Sequence, residues 1–465
     1  MKWLQLILNA FLRYQQGRTL IPRNIEPLLG LLASILVILI AVANSIAIGY
    51  ALIVVWSIMA YVFYRKGYAL KELLNLSWTG AKTSIIVMQI FLLIGWLIAM
   101  WQAAGVIPMI IATGIDLIDP SIFIVCAFLI TATVSMLLGT ALGTVGTIGI
   151  VLITMARAGS IPENIVAGAI IAGAYLGDRN GPLSSSASLV AALTHTKVST
   201  NIPIMFKDSI PALIISTVLY LLLSQWYPLN YENSLLSDTI HFIFNIDWTL
   251  WIPVIIVIGL LPLKVSIRWP IGLSALAAAI LAYTNQDASL SELGWYTLTG
   301  FELPHYNPLA NIIHGGGLQT MFVPTLSIFM ATAISGMLEG VGFWNDIRQL
   351  LERAKTRSDV FAANVGLAFL TGAVGCSQAI AVVMTHSIMR ITYAQRGIQD
   401  EDVMLDFENS GILIAPLQPW NIAAYVPIVM MDTSSTGYVP FAFFLYLVPL
   451  IYWLRLRKQD QPIIR

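Results

Sequence analysis

The stretch AYLGDRNGPLSSSASL, residues 174–189, is the most polar and least helix-favouring part of a strongly apolar chain. It places Asp178 and Arg179 beside two glycines, a proline and four serines. An apolar run over residues 164–176 leads directly into it. Because glycine and proline interrupt helices, the pattern predicts a helix that breaks here, with a non-helical backbone at Asp178.

The composition of the whole chain predicts an all-α polytopic membrane protein. Of its 465 residues, 58% are hydrophobic and 10% are charged, whereas soluble domains are about a quarter charged. Apolar runs recur between residues 28 and 454, and several are shorter than the roughly 20 residues that cross a bilayer. Glycine or proline interrupts the short runs, which predicts broken helices and re-entrant hairpins that lie inside the protein. The net charge is zero, so we expect no nucleic-acid partner. The apolar composition predicts that lipid surrounds the protein.

The distribution of charge predicts the orientation in the membrane. Basic residues precede the first apolar run and follow the last one, whereas the segments 226–247 and 285–311 carry acidic residues and no lysine or arginine. The positive-inside rule then places both termini in the cytoplasm and the two acidic segments outside. Residues 1–26 are predicted to form a cytoplasmic, interfacial helix, and residues 457–465 a cytoplasmic tail.

An internal repeat divides the chain into halves. LGTVGTIGIVL (142–152) precedes IPENIVAGAIIAGAYLGDRNGPLS (161–184), and VGCSQAIAVVM (374–384) precedes IQDEDVMLDFENSGILIAPLQPWN (398–421). Weak similarity at half-chain spacing is typical of transporters built from repeats. We therefore predict a first repeat over 27–226, an external loop over 227–247 and a second repeat over 248–456. The alternative is chance similarity between glycine-containing apolar segments.

Asp178 is the strongest candidate for a functional residue, because a carboxylate at membrane depth is costly unless it has a role. Unwound carbonyl groups and a carboxylate suit a hard cation such as sodium, and a lone carboxylate can instead carry a proton. The hydroxyl groups of Ser184, Ser185 and Ser186 would add oxygen ligands. In the alternative interpretation, Asp178 pairs with Arg179 at a helix end and the serines cap the next helix.

The second half offers its own candidates. Asp406 and Glu408 lie two residues apart and point to different faces of a helix. Glu408 is the preferred one, because it is nearer the Ser410-Gly411 break. The alternative is that both carboxylates are solvated at the cytoplasmic start of the helix.

Neutral polar residues surround the second-half breaks. GCSQ (375–378) supplies Ser377 and Gln378, and PLQPWN (416–421) supplies Trp420 and Asn421. These side chains could hold a cation or simply support a kink. HGGG (314–317) is similar to an esterase motif but has no GxSxG partner, so we expect no enzyme and interpret its glycines as a hinge or hairpin start.

Three longer motifs resemble the NhaC-type sodium/proton antiporter family, within the larger ion-transporter superfamily. They are GAYLGDRNGPLS, ENSG followed by PLQPWN, and GYVPFAFF (437–444), in the family's order. The resemblance implies two inverted repeats, a scaffold and a transport domain with elevator-like alternating access, paired re-entrant hairpins and a homodimer.

The chain also departs from that family. After Pro-Leu-Ser it reads Ser185-Ser186-Ala187-Ser188 where Asp-Thr-Thr-Asn is usual. The family pattern Glu-Asp-Ser-Gly has an aspartate where this chain has Asn409. The family pattern Gly-Asp-Gln has an aspartate where this chain has Ser377, within Cys376-Ser377-Gln378. Fewer carboxylates weaken the argument for plain sodium/proton exchange, and the wider family includes carriers that resemble malate/lactate exchangers and amino-acid importers.

We therefore predict a secondary active transporter of the bacterial inner membrane that exchanges Na⁺ for H⁺, with these ions as its coupling ions and no other cofactor. Asp178 and Glu408 are the predicted exchanging carboxylates and sodium ligands. The remaining predicted site residues are Ser184, Ser185, Ser186, Ser377, Gln378, Asn409, Trp420 and Asn421. The alternative is Na⁺- or H⁺-coupled transport of a small organic solute, an amino acid or a carboxylate. A passive channel is a third possibility, disfavoured by two broken polar segments in matching repeats.

Overall fold

The computed structural model describes residues 26–44, 46–117, 119–182, 184–229, 235–260, 268–304, 307, 310, 313–343 and 356–459. The predicted interfacial helix over residues 1–26 lies outside them, except for Glu26. The described chain is almost entirely helical, which confirms the predicted all-α class.

The first half contains eleven α-helices in the described ranges, and a π-helical segment, Val145–Gly149, joins the seventh to the eighth. The helices are α1 Glu26–Ala43, α2 Ile48–Arg65, α3 Leu70–Ala81, α4 Ile85–Ala103, α5 Val106–Leu117, α6 Phe123–Leu138, α7 Ala141–Thr144, α8 Ile150–Ala158, α9 Glu163–Asn180, α10 Ser185–Leu193 and α11 Val198–Trp226.

The second half continues with eleven described helices and a two-stranded antiparallel sheet. They are α12 Leu235–Ile243, α13 Trp251–Leu260, α14 Arg268–Asn285, α15 Leu290–Thr299, β1 Phe301–Glu302, β2 His314–Gly315, α16 Phe322–Gly340, α17 Arg357–Gly375, α18 Gln378–Gln395, α19 Asp400–Glu408, α20 Gly411–Ile414, α21 Ile422–Met431 and α22 Phe443–Gln459. Short 3₁₀ turns lie at Lys82–Ser84, Pro120–Ile122, Trp248–Leu250, Ala415–Leu417 and Val439–Phe441.

Several helices have the length and apolarity of membrane spans. Within the described ranges, five single helices qualify, and two bent pairs raise the number to seven. The chain bends by 67° between Met88–Ala103 and Val106–Thr113, and by 46° between Asp400–Leu417 and Ile422–Met431. A bend of this kind marks a broken span or a re-entrant segment, which survives at membrane depth only when protein surrounds it.

Helix α9 lies at the centre of the protein, and each of its residues from Ile165 to Asn180 is buried. Its glycines allow close packing against α6. A methyl group at Gly173 would collide with the Phe128 carbonyl, and one at Gly177 would collide with the Ser135 side chain. Ser135 Oγ donates a 2.6 Å hydrogen bond to the carbonyl of Ala174 across this contact. Small residues at such a contact are how helices approach closely inside a membrane.

The HGGG glycines shape a turn against α4. Gly316 and Gly317 have φ angles of 77° and 89°, which other residues rarely adopt. The Gly317 amide donates a 2.7 Å hydrogen bond to the carbonyl of Gly95. The motif thus contributes β2 of the small sheet and then leads into α16.

Candidate functional site

Asp178 lies on the last turn of α9 and is 3% exposed. The prediction of a non-helical backbone at this residue is wrong, because the helix continues to Asn180. The physical reason is that proline restricts the residue just before it and removes its own N–H, so Pro182 ends the helix near Gly181. The break therefore lies between Asp178 and the serines, and it allows the chain to fold back onto the carboxylate.

Two serine hydroxyl groups bind the Asp178 carboxylate. Ser184 Oγ donates to Oδ1 over 3.1 Å, and Ser186 Oγ donates to Oδ2 over 2.7 Å. Ser184 Oγ also accepts a 3.0 Å hydrogen bond from the Ala187 amide, so it caps α10 as well. Capping and carboxylate binding, which the sequence presents as alternatives for Ser184, are both present.

Gln378 brings the second half of the chain to this cluster. It is the first residue of α18, and its side-chain oxygen lies 3.5 Å from Ser186 Oγ. Its Nε2 donates a 3.2 Å hydrogen bond to the carbonyl of Ile412 in α20. Asp178, Ser184, Ser186 and Gln378 therefore form one polar cluster between the broken segments of the two halves.

Glu408 lies at the end of α19 with none of its surface exposed. Within the described part of the chain, neither carboxylate oxygen has a hydrogen-bond partner. Arg179 and Asp178 are charged groups close enough to act on it electrostatically. A buried carboxylate without donors is costly when ionised, so this group needs a bound cation or a proton.

Asp406 is also wholly buried, so the interpretation of two solvated carboxylates is wrong. Its oxygens accept bonds of 2.7 and 2.8 Å from the guanidinium of Arg357 and one of 2.8 Å from the Tyr393 hydroxyl. These three bonds satisfy the carboxylate, which makes Asp406 a structural partner of Arg357.

Arg179 belongs to a second buried network, so the alternative interpretation, in which Asp178 pairs with Arg179, is wrong. Its Nη2 lies 3.6 Å from Asp208 Oδ2 and donates a 2.6 Å hydrogen bond to Asn409 Oδ1. Asn409 in turn donates to Asp208 over 2.9 Å. Asn409 therefore belongs to this network and not to the Asp178 cluster.

A sequence model of the Na⁺/H⁺ antiporter family matches residues 173–454, which contain Asp178, Glu408 and every other predicted site residue. The chain belongs to this family. It is therefore an integral membrane protein, and the prediction of a secondary antiporter is confirmed.

Individual antiporters align over most of their length. The malate-2H⁺/Na⁺-lactate antiporter of Bacillus subtilis (strain 168) is 30% identical over 87% of this chain and 88% of its own. The Na⁺/H⁺ antiporter NhaC of the same organism is 29% identical over 80% of this chain and 84% of its own. The arginine/ornithine antiporter ArcD of Halobacterium salinarum is 24% identical over 83% of this chain and 82% of its own.

Two predicted site residues of this antiporter, Asn421 and Trp420, stabilise the second-half break, and no hydrogen bond joins them to Asp178 in the described part of the chain. Asn421 caps α21 by accepting a 3.0 Å bond from the Ala423 amide, and its Nδ2 donates to the carbonyl of Gly372 over 3.0 Å. Trp420 Nε1 donates to the Ala373 carbonyl over 2.9 Å. Both contacts join the break to the end of α17.

The remaining two predicted serines, Ser377 and Ser185, make no side-chain hydrogen bond to the Asp178 cluster within the described ranges. Ser377 is half-buried at the N-cap of α18 and makes no capping bond through its side chain. Ser185 is exposed, and none of the described residues bonds its hydroxyl group. Ser185 therefore lies outside the cluster around Asp178, which contains Ser184 and Ser186.

Sequence reasoning missed Asp208, which is 6% exposed in α11. Its neighbour Lys207 suggests a solvated helix end. The signal that points to it is Arg179, because a guanidinium in an apolar helix requires a carboxylate partner.

A separate cavity of about 730 Å³ opens beside the small sheet. Polar and charged residues line much of it, including Gln102, Arg157, Glu302, His314 and Asp432. Asp178 and Glu408 are not among its lining residues.

Proposed function

We propose that this antiporter exchanges Na⁺ for H⁺ across the bacterial inner membrane by alternating access, with Asp178 and Glu408 as the exchanging carboxylates. The observation that carries the proposal is Glu408, a fully buried carboxylate whose two oxygens lack a partner among the described residues. An occupant with one positive charge removes the cost of that ionised group.

The Asp178 cluster has the ligands that sodium requires. Hard cations take oxygen ligands, and the cluster offers the Asp178 carboxylate, two serine hydroxyl groups and the Gln378 side-chain oxygen. When a cation binds, each hydroxyl group can turn its lone pairs towards the ion. When the cation leaves, the hydroxyl groups can bind Asp178 again, and a proton neutralises Glu408.

The proposal includes the arrangement that the resemblance implies, with inverted repeats, an elevator-like transport domain, a homodimer and both termini in the cytoplasm. Two features support movement around a central site. The chain bends by 46° between Asp400–Leu417, the segment that contains Glu408, and Ile422–Met431. The Asp178 cluster takes residues from the broken segments of both halves. Broken helices at a midplane site are typical of alternating-access carriers.

Reconstitution into liposomes that contain a pH-sensitive dye tests this function. Sodium, lithium or potassium is added outside with no organic solute. We expect an immediate, saturable change of internal pH with sodium and none in protein-free liposomes. If the internal pH stays constant until an organic solute is supplied, Na⁺/H⁺ exchange is excluded.

Transport of a small organic solute is the second candidate. The cavity of about 730 Å³ has room for such a molecule, and polar side chains line much of it. The guanidinium of Arg157 at its wall already binds the Glu163 carboxylate through two bonds of 2.8 Å. One relative is a malate-2H⁺/Na⁺-lactate antiporter. The same liposomes, supplied with malate, lactate or an amino acid, separate this function from cation exchange.

A further inference from the structure

The cavity of about 730 Å³ beside the small sheet is separate from the Asp178 cluster. Sites that bind small organic molecules have volumes of about 300–1,000 Å³ and combine apolar walls with a few polar groups. This cavity has the volume of such a site and is much larger than a sodium ion requires. Apolar side chains form the part of its wall that is not polar, among them Ile48, Ile98, Ile153, Met321 and Val429.

Gln102 places a buried hydrogen-bond acceptor at this wall. The residue is 5% exposed, and its Nε2 donates a 2.6 Å bond to the carbonyl of His314. Because only the amide nitrogen can donate to that carbonyl, the oxygen is the atom left over. Its Oε1 has no partner among the described residues. A buried oxygen without a donor is costly, so a bound molecule that supplies an N–H or O–H group is favoured here.

Glu302 and Asp432 add negative charge to the same cavity. Glu302 is paired across the two-stranded sheet with His314, the residue whose carbonyl accepts the Gln102 bond. Asp432 directly follows α21. Both acidic residues are exposed, and neither carboxylate forms a salt bridge within the described ranges. The acceptor and the two charges therefore line one enclosed space.

Arg157, the one arginine among the described lining residues, is already bound. Its Nε and Nη2 each donate a 2.8 Å bond to the Glu163 carboxylate. Its Nη2 also donates to the carbonyls of Met431 and Asp432 over 3.2 and 3.0 Å. Glu163 thus neutralises the guanidinium, and the unpaired carboxylates give the wall a negative potential that attracts cations and repels anions.

We propose that this cavity binds a small organic cation that has N–H donors and an apolar body, such as a protonated amine. The ammonium group donates to Gln102 Oε1, and Glu302 and Asp432 attract its charge. The apolar body packs against the isoleucine and methionine side chains of the wall. A small organic anion does not match this wall. The inference names the class of molecule for the cavity of the second candidate function, and it does not rest on cation/proton exchange at Asp178.

Four probes of nearly the same shape test the charge and the donor. Phenethylamine, its N-trimethylated analogue, phenylethanol and phenylpropanoate are titrated calorimetrically into the detergent-solubilised protein at about pH 8, so that histidine is uncharged. We expect saturable binding of phenethylamine. Binding should be about tenfold weaker for the trimethylated cation, which lacks N–H donors, and for the uncharged alcohol. Phenylpropanoate should not bind. Equal affinities for all four probes, tightest binding of the anion, or no binding of phenethylamine at millimolar concentration would overturn the proposal.

Three substitutions locate the bound amine. Glu302→Gln and Asp432→Asn each remove an exposed charge and should weaken phenethylamine binding about fivefold without affecting the fold. Gln102→Met removes the buried acceptor, so the difference in affinity between phenethylamine and its trimethylated analogue should shrink. An undiminished difference would exclude Gln102 as the acceptor. If Gln102→Met does not fold, the four probes and the two carboxylate variants still decide the proposal.

Asp287→Asn is the matched control. Asp287 is an exposed carboxylate between α14 and α15 that does not line the cavity. Its φ of 54° is one that asparagine also adopts. We expect unchanged phenethylamine binding, and equal losses in Asp287→Asn and Glu302→Gln would show a diffuse surface attraction instead of a site. The titrations use no ion gradient, so an absence of sodium-driven proton flux in liposomes would reject the proposed exchange and leave this inference standing.

Discussion

The guanidinium of Arg179 and the side-chain oxygen of Asn409 meet over 2.6 Å, although 230 residues separate them in the chain. Arg179 lies just before the break in the first half, and Asn409 lies at the break in the second. Their hydrogen bond therefore fixes the two broken segments to each other beside the candidate site. Asp208 supports the same contact by accepting a bond from Asn409.

Replacement of Asn409 by alanine should destabilise the protein. It removes one hydrogen bond from a charged donor and one to a charged acceptor, so we expect a loss of about 2–3 kcal/mol in the free energy of unfolding. Thermal unfolding of the detergent-solubilised protein measures the change. Asn44→Ala is the control, because Asn44 makes an exposed bond to the carbonyl of Ile40. Equal melting temperatures for the two variants would contradict the structural role of Asn409.

Asp178→Asn should abolish sodium-driven proton movement and leave the protein folded. The amide keeps the shape of the carboxylate but loses the charge that binds a cation or a proton. Reconstituted liposomes with an internal pH dye measure the flux. The matched control is Asp119→Asn, an aspartate that binds Ser121 at an exposed turn and should be silent. Wild-type flux in Asp178→Asn would remove this residue from the mechanism.

Two neighbouring serines give a sharper test of the site. Ser186 donates a 2.7 Å bond to Asp178, whereas Ser185 is exposed. Ser186→Ala removes a potential cation ligand and should raise the half-maximal sodium concentration about tenfold, equivalent to one hydrogen bond to a charged group. Ser185→Ala should leave it unchanged. The flux assay at a series of sodium concentrations gives both values, and equal effects would mean that this arrangement of the serines is incorrect.

Asp406→Asn should affect stability more than Asn409→Ala does. Arg357, whose side chain is 17% exposed, loses its bidentate partner, and a buried charge without a partner costs about 3 kcal/mol or more. Melting temperature in detergent reports the loss. Asp402→Asn changes an exposed carboxylate one turn earlier on α19 and is expected to shift it little. If the two variants melt together, the Asp406–Arg357 pair contributes no stability.

The position of the first break was largely predictable from the sequence, whereas its exact boundary was not. Gly181 and Pro182 stop a helix wherever they occur, because their effect is local. Asp178 nevertheless remains helical, because its own amide bonds to a carbonyl earlier in the helix and is unaffected by a proline four residues later. Ser184 and Ser186 bind the Asp178 carboxylate. The local sequence could not distinguish exposed Ser185 from Ser186.

The sequence by itself determined the class of protein, the broken helices and Asp178 and Glu408 as candidate carboxylates, because hydropathy and helix-breaking residues act over short stretches of chain. The tertiary structure decided which charges meet. Asp208 is the partner of Arg179, Asp406 is bound by Arg357, and Glu408 is left without a hydrogen bond among the described residues. These relationships depend on helices far apart in the chain that pack at ångström distances, and electrostatic energy in a low-dielectric interior depends on those distances.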